Sequence, residues 1–253
     1  SDVDEEDVIE AAINGMLQSL DPHSSYMDLE NYRDMQEQTD GKFGGLGIEV
    51  TSESGYVKII SPIDGTPGAK AGVEPGDYIT HIDDENIFGL SLTESVDKLR
   101  GLVGTTVKLK IAREGEDEPL EISITRAIIT VEAVKFRREG NVGYIKLISF
   151  SEQADRGIKK AINNLQTEIG TDKLIGYILD LRNNPGGLLG QSISVTNNFL
   201  NSGEIVSTKG RDKSNIGSFK ATKGDLTKNK PIIVLINRGS ASASEIVAGA
   251  LQD

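Results

Sequence analysis

The sequence predicts an α/β protein: a core on a mainly parallel sheet, preceded by helices and interrupted by a small β-rich module. Three observations carry this reading. After residue 127, apolar runs alternate with helical periodicities, as βαβ units require. From 41 to 126 the pattern is short strands bounded by turns, with two helical stretches between them. Before 41 it is helical. The expected division is therefore residues 1–40, 41–126 and 127–253.

In order, Asp2 to Leu20 fits an amphipathic helix, with acidic residues in its first turn and Val8, Ala12, Ile13, Met16, Leu17 and Leu20 on one face. That face is expected to pack on a later domain. Asp21-Pro22 stops the helix, and a polar helical patch follows from Leu29 to Gln38. Gly41 to Gly47 is a glycine-rich switch into strands at Leu46–Val50, Tyr56–Ile60, Tyr78–Ile82, Val107–Ile111 and Leu120–Ile124. Pro67–Gly72 and Leu92–Leu99 read as a short and a longer helix, completing a partly open barrel.

From Ala127 the expected elements are strand Ile128–Val134, strand Val142–Phe150, helix Glu152–Ile169, strand Leu174–Leu181 and helix Leu188–Leu200. Ile205–Thr208 and a polar loop from Lys213 to Lys228 lead to a buried strand, Ile232–Ile236. Asn237-Arg238-Gly239 turns the chain, and Ile246, Val247, Ala250 and Leu251 mark a final helix. Ser240, Ser242 and Ser244 crowd its start. Free backbone N–H groups and the positive dipole end there favour an oxyanion, although all three serines also fit as caps and packing residues. Ligand sites in parallel sheets lie at the carboxyl ends of strands, where both Asn183–Gly187 and Gly239–Ser244 fall.

Composition excludes several classes. A net charge of −12 argues against nucleic acid or anionic membrane as the main partner. No cysteine means no disulfide, thiol nucleophile or thiolate metal site. Two histidines are too few for a His-rich metal site, and no cofactor motif appears.

Several stretches carry resemblances. Gly45-Leu46-Gly47-Ile48 resembles the carboxylate-binding loop of PDZ domains, and Ala71-Gly72-Val73-Glu74-Pro75-Gly76-Asp77-Tyr78-Ile79 resembles a second PDZ stretch. Loop N–H groups would form a nest for a terminal carboxylate beside a strand edge that accepts a peptide as an added strand. Val50, Val96 and Leu99 are the expected side walls. Further on, Asp180-Leu181-Arg182-Asn183-Asn184-Pro185-Gly186-Gly187 and Gly239 to Ile246 resemble the C-terminal (tail-specific) processing proteases. Leu20 to Met27 matches the same family's N-terminal signature. The resemblance implies a crotonase-like core of the tail-specific protease type with an inserted PDZ domain.

It also implies roles. Ser242 would be the nucleophile, and the N–H of Ala243 with that of Gly186 or Gly187 would form the oxyanion hole. Gly45, Leu46, Gly47 and Ile48 would bind the substrate C-terminus, and Arg126 would sense the PDZ arrangement. The family's base is a lysine in a motif following the nucleophile helix. Lys230, the last lysine here, precedes Ser242, so the chain as written is expected to be inactive alone. A triad through His23 or His81 is the lesser option. The expected partners are protein or peptide substrates with free C-termini, with no nucleic acid. A homo-oligomer, an adaptor protein and membrane anchoring by a segment outside the chain stay open. The resemblance implies a bacterial periplasm or envelope. The competing reading is a non-catalytic PDZ scaffold on a protease-like core.

Overall fold

A computed structural model describes residues 5–211 and 216–253. The chain divides into two compact units, Lys42–Val131 and the segments that flank it, up to Gly41 and from Glu132 to Asp253.

The leading segment holds α1 (Glu5–Gln18) and α2 (Leu29–Asp40). Asp28 caps α2 by accepting from the Asn31 N–H at 2.6 Å, and Gly41 closes it in the left-handed conformation. The start of the expected first helix, Asp2 to Asp4, lies outside the described residues. The apolar face of α1 departs from expectation: Val8 is 52% and Met16 64% exposed, so it is not packed away. Periodicity marks an amphipathic face but not its cover. The end of α2 is anchored instead, with the Glu152 N–H donating to Thr39 O at 2.9 Å.

The inserted unit contains β1 (Lys42–Gly45), β2 (Ile48–Glu53), β3 (Tyr56–Pro62), α3 (Pro67–Lys70), β4 (Tyr78–Ile82), β5 (Glu85–Asn86), α4 (Leu92–Leu99), β6 (Thr106–Ala112), β7 (Leu120–Thr125) and β8 (Ala127–Thr130). Its main sheet runs β2-β3-β4-β6-β7, which leaves β2 as an edge, and β1 pairs antiparallel with β8. Ile59, Ile79, Leu109, Ile111 and Ile124 fill the core. Each contributes roughly 1.5–3 kcal/mol by leaving water. Ser91 and Glu94 form a capping box that fixes the start of α4. Buried Asp77 holds the Arg113 guanidinium through two 2.8 Å bonds. Burial alone would raise its carboxyl pKa, but Arg113 and the Glu74 N–H together outweigh that and hold it low.

The larger unit continues through β9 (Val134–Glu139), β10 (Val142–Leu147), α5 (Ala154–Ile169), β11 (Gly176–Asp180), α6 (Leu189–Asn197), β12 (Glu204–Lys209), β13 (Ile216–Lys220), β14 (Ile232–Leu235) and α7 (Ala243–Gln252). The sheet order is β14-β11-β10-β9, with the first two pairings parallel and β9 antiparallel. Val134, Ile145, Leu147, Tyr177 and Leu179 pack with Ile158, Ile162 and Leu165 of α5 and with Val195 and Val247. The mainly parallel α/β core is as expected. Three boundaries differ. The strand read at Ile128–Val134 is two elements, because β8 pairs with β1 and β9 opens the other sheet. Lys42–Gly45 is a strand within the glycine-rich switch. Ile216–Lys220 pairs with β12 where a polar loop was expected, its alternation masked by glycine and serine; residues 212–215 of that loop lie outside the described residues.

Candidate active site

At the end of β14 the Asn237–Ser240 turn is closed by its own side chains. Asn237 Oδ1 accepts the Gly239 N–H at 3.0 Å, and Ser240 Oγ accepts the Asn237 N–H at 3.0 Å. The three serines then separate. Ser240 Oγ donates to Leu181 O at 2.8 Å, and buried Ser244 Oγ donates to Asn184 O at 2.9 Å. Ser242 is exposed at the N-cap of α7, with φ 53° and ψ −115°. A non-glycine residue there carries strain of about 1–3 kcal/mol, sustained only because the surroundings fix it. Glu245 reaches back to accept the Ser242 N–H at 2.7 Å.

The turn after β11 faces this serine. A Cβ built on Gly186 would lie 2.8 Å from Ser242 Cβ, 2.9 Å from Ala241 O and 3.0 Å from Ala243 N. Only glycine permits that approach, and its φ of 107° is disfavoured for other residues. Two loops are stitched together around the contact. Asn183 and Asn237 bond reciprocally, Asn183 N–H to Asn237 Oδ1 at 2.9 Å and Asn237 Nδ2 to Asn183 Oδ1 at 2.8 Å. The Ala241 N–H donates to Asn184 O at 3.2 Å. Phe150 brackets the glycines, donating to Gly186 O at 3.0 Å and accepting from Leu188 N–H at 2.9 Å.

A charged network anchors the same turn. Asp180, fully buried, accepts from Arg182 Nε at 2.9 Å, Arg182 Nη2 at 2.7 Å, the Arg182 N–H at 3.0 Å and Tyr144 Oη at 2.5 Å. The Arg182 guanidinium, helped by the Tyr144 hydroxyl, holds the Asp180 carboxyl far below the ordinary carboxylate range, against the opposing effect of burial. The Arg137 guanidinium lies over the Tyr144 ring at 3.9 Å.

The inserted unit has its own concavity. A cavity of about 150 Å³ lies between β2 and α4, lined by Phe43, Gly45 to Ile48, Val50, Val96, Leu99 and Arg100. Leu46 O accepts from the Gly68 N–H and Gly47 O from the Ile63 N–H, both at 2.8 Å. Among the described residues the N–H groups of Leu46 and Gly47 have no acceptor. Gly47 has φ 72°, and a Cβ on it would meet Thr66 at 2.3 Å.

Ser242, Ala243 and Gly186 thus meet in one place, with Gly187 next in the turn. Gly45–Ile48 converge with Val50, Val96 and Leu99 on one cavity. Arg126 is buried and caps α4, donating to Leu99 O, Lys98 O and Thr105 Oγ1 at 2.9–3.0 Å. His81 Nδ1 lies 3.0 Å from Thr80 Oγ1, and the His23 N–H donates to Asp21 Oδ1. Sequence reasoning gave no role to Asp180, Arg182, Tyr144, Asn184 or Asn237. The signal available for the first two was an acidic and a basic residue two apart at a strand end; Asn237 showed only as turn chemistry, and Tyr144 arrives from a distant segment and leaves none.

Comparison with known proteins finds matches along the chain. Residues 141–253 match the model of peptidase family S41, residues 44–124 a PDZ domain, and residues 1–31 the "Activating protease CtpB N-terminal domain". A carboxy-terminal-processing protease of Bartonella bacilliformis is 60% identical over 250 residues, covering 99% of this chain and 58% of that protein. The carboxy-terminal processing protease CtpA of Bacillus subtilis is 38% identical, covering 99% and 53%. Among solved structures, the photosystem II D1 C-terminal processing protease aligns with 100% of this chain and 69% of its own, with a TM-score of 0.50 and 27% identity. The chain spans a little over half the length of the two curated relatives.

Proposed function

Because the chain belongs to peptidase family S41 and carries a PDZ domain, we propose that it forms the substrate-gripping and nucleophile-bearing part of a serine endopeptidase acting on protein C-termini. The observation that carries this reading is the contact between Ser242, at the strained N-cap of α7, and the Gly186-Gly187 turn. In it Ser242 attacks the scissile carbonyl, and Ala243 with one glycine amide of the turn receives the developing oxyanion. An acyl-enzyme forms and water releases it. The serine gives up its proton to a base, which in this reading is a lysine supplied by the remainder of a longer protein.

Substrate enters through the groove between β2 and α4. The unpaired N–H groups of Leu46 and Gly47 suit a terminal carboxylate, and the open edge of β2 suits an added strand. A cavity of about 150 Å³ favours a small apolar terminal side chain. Arg126 acts on substrate grip through α4, whose last carbonyls it holds, and we assign it the regulatory role on that basis. The family resemblance supports a bacterial periplasm or envelope as its compartment, testable by cell fractionation.

The test is hydrolysis of an unstructured peptide by the full-length protein, with a free or an amidated C-terminus. Cleavage of the free acid, slowed at least about tenfold by amidation and abolished by Ser242→Ala, is the expected result. Equal rates on both peptides would remove the groove from the mechanism.

A further inference from the structure

The Gly186-Gly187 turn offers two glycine amides, and the hydrogen bonds around it separate them. Asn184 is fully buried, where a polar side chain needs partners for all its groups. Its Nδ2 donates to Leu147 O at 2.9 Å, and its Oδ1 accepts the Gly186 N–H at 2.9 Å. Its backbone carbonyl accepts from both the Ala241 N–H and Ser244 Oγ, on the serine side of the site. Gly186 is therefore used at both ends, since its carbonyl takes the Phe150 N–H. Among the described residues neither the Gly187 nor the Ala243 N–H has an acceptor.

We propose that Asn184 is a positioning residue that decides which amide serves the oxyanion: it occupies the Gly186 N–H and leaves Gly187 as the donor beside Ala243. The inference rests on the peptidase reading and narrows it. One residue spans three segments: its side chain ties β10 to the glycine turn, and its backbone carbonyl holds the start of α7. It therefore also sets where that donor sits relative to Ser242. An amide already bonded to a buried carbonyl oxygen has little left for a substrate, whereas an unpaired one is preorganised without reorganisation at the moment of reaction.

The test uses a peptide boronic acid and backbone amide spectra of the full-length protein. Ser242 Oγ adds to boron, its proton leaves to solvent, and the negative charge rests on the tetrahedral boronate. Expected on adduct formation are shifts of the Gly187 and Ala243 amides, with Gly186 unmoved and slow to exchange its hydrogen. In Asn184→Ala, Gly186 exchange accelerates and the adduct weakens by about 10²-fold. Asn184→Asp, which keeps an oxygen acceptor, recovers part of that loss. A merely structural role would instead weaken the adduct only in step with the melting temperature, without rescue by Asp. A Gly186 amide that shifts with the adduct would overturn the assignment, as would an Asn184→Ala adduct of native strength. Should Asn184→Ala not fold, the native spectra and Asn184→Asp still decide. Failure of the full-length protein to form any adduct at Ser242 would sink the peptidase reading. In that sample, slow Gly186 exchange would show the amide still held by Asn184 and locate the failure in the peptidase reading, whereas fast exchange would overturn the Asn184 assignment as well.

Discussion

Gly186 lies so close to Ser242 that a methyl group on the glycine would fall 2.8 Å from the serine Cβ, and 2.9 Å from a backbone oxygen that cannot swing aside. Gly186→Ala therefore meets both an overlap and a φ of 107°. The expected cost is about 1–3 kcal/mol for the backbone alone. Thermal unfolding should show it, together with loss of any reaction at Ser242.

Asp180→Asn removes the charge that gathers Arg182 and Tyr144 under the same turn. With Arg182 half-exposed, a loss of about 2 kcal/mol is expected, mainly from leaving a buried amide where a carboxylate was bonded. The pH dependence has a definite sign. The folded carboxyl pKa lies below the unfolded value of about 3.9, so its contribution is complete above that value and lost as pH falls toward the folded one. Denaturant melts from pH 7 to 3 should show the native chain losing stability on acidification more steeply than Asp180→Asn.

Val96→Asp places a carboxylate in the groove where a terminal carboxylate is expected, on a half-buried position of α4. Calorimetry with a peptide bearing a free C-terminus should show at least about a tenfold weaker Kd, with little change in melting temperature.

Arg126→Ala leaves the last carbonyls of α4 and Thr105 Oγ1 without their donor. About 1–3 kcal/mol of stability in the inserted unit should be lost, and peptide binding should weaken with it. Arg126→Lys should recover little, because one ammonium cannot reproduce the three-armed fork. Unchanged peptide affinity in Arg126→Ala would remove the link between this residue and the groove.

Much of this was legible in the residues. Ile232–Ile236 and Leu174–Leu181 read as strands buried on both faces, with the glycine turn and serine run at their carboxyl ends. Both are strands, but β14 is the edge of its sheet and Ile233 is 60% exposed, so only the second is buried. The groove walls Val50, Val96 and Leu99 were what the PDZ resemblance implied, and all three line the cavity. The role proposed for Asn184 was not legible, because Asn-Pro-Gly-Gly reads as an ordinary turn; only the folded hydrogen bonds show that its side chain takes the Gly186 N–H. The split of Ile128–Val134 between two sheets was hidden for a similar reason: a continuous apolar run states burial, not partner.

The most direct measurement is the rate at which the full-length protein cleaves an unstructured peptide, native against Ser242→Ala. With Ser242 as the nucleophile, the native protein turns over and the variant falls by about 10⁴-fold or more, while still binding the peptide through the groove. A variant that cleaves at the native rate would show that the bond is broken by another group, and the site between α7 and the glycine turn would lose its function.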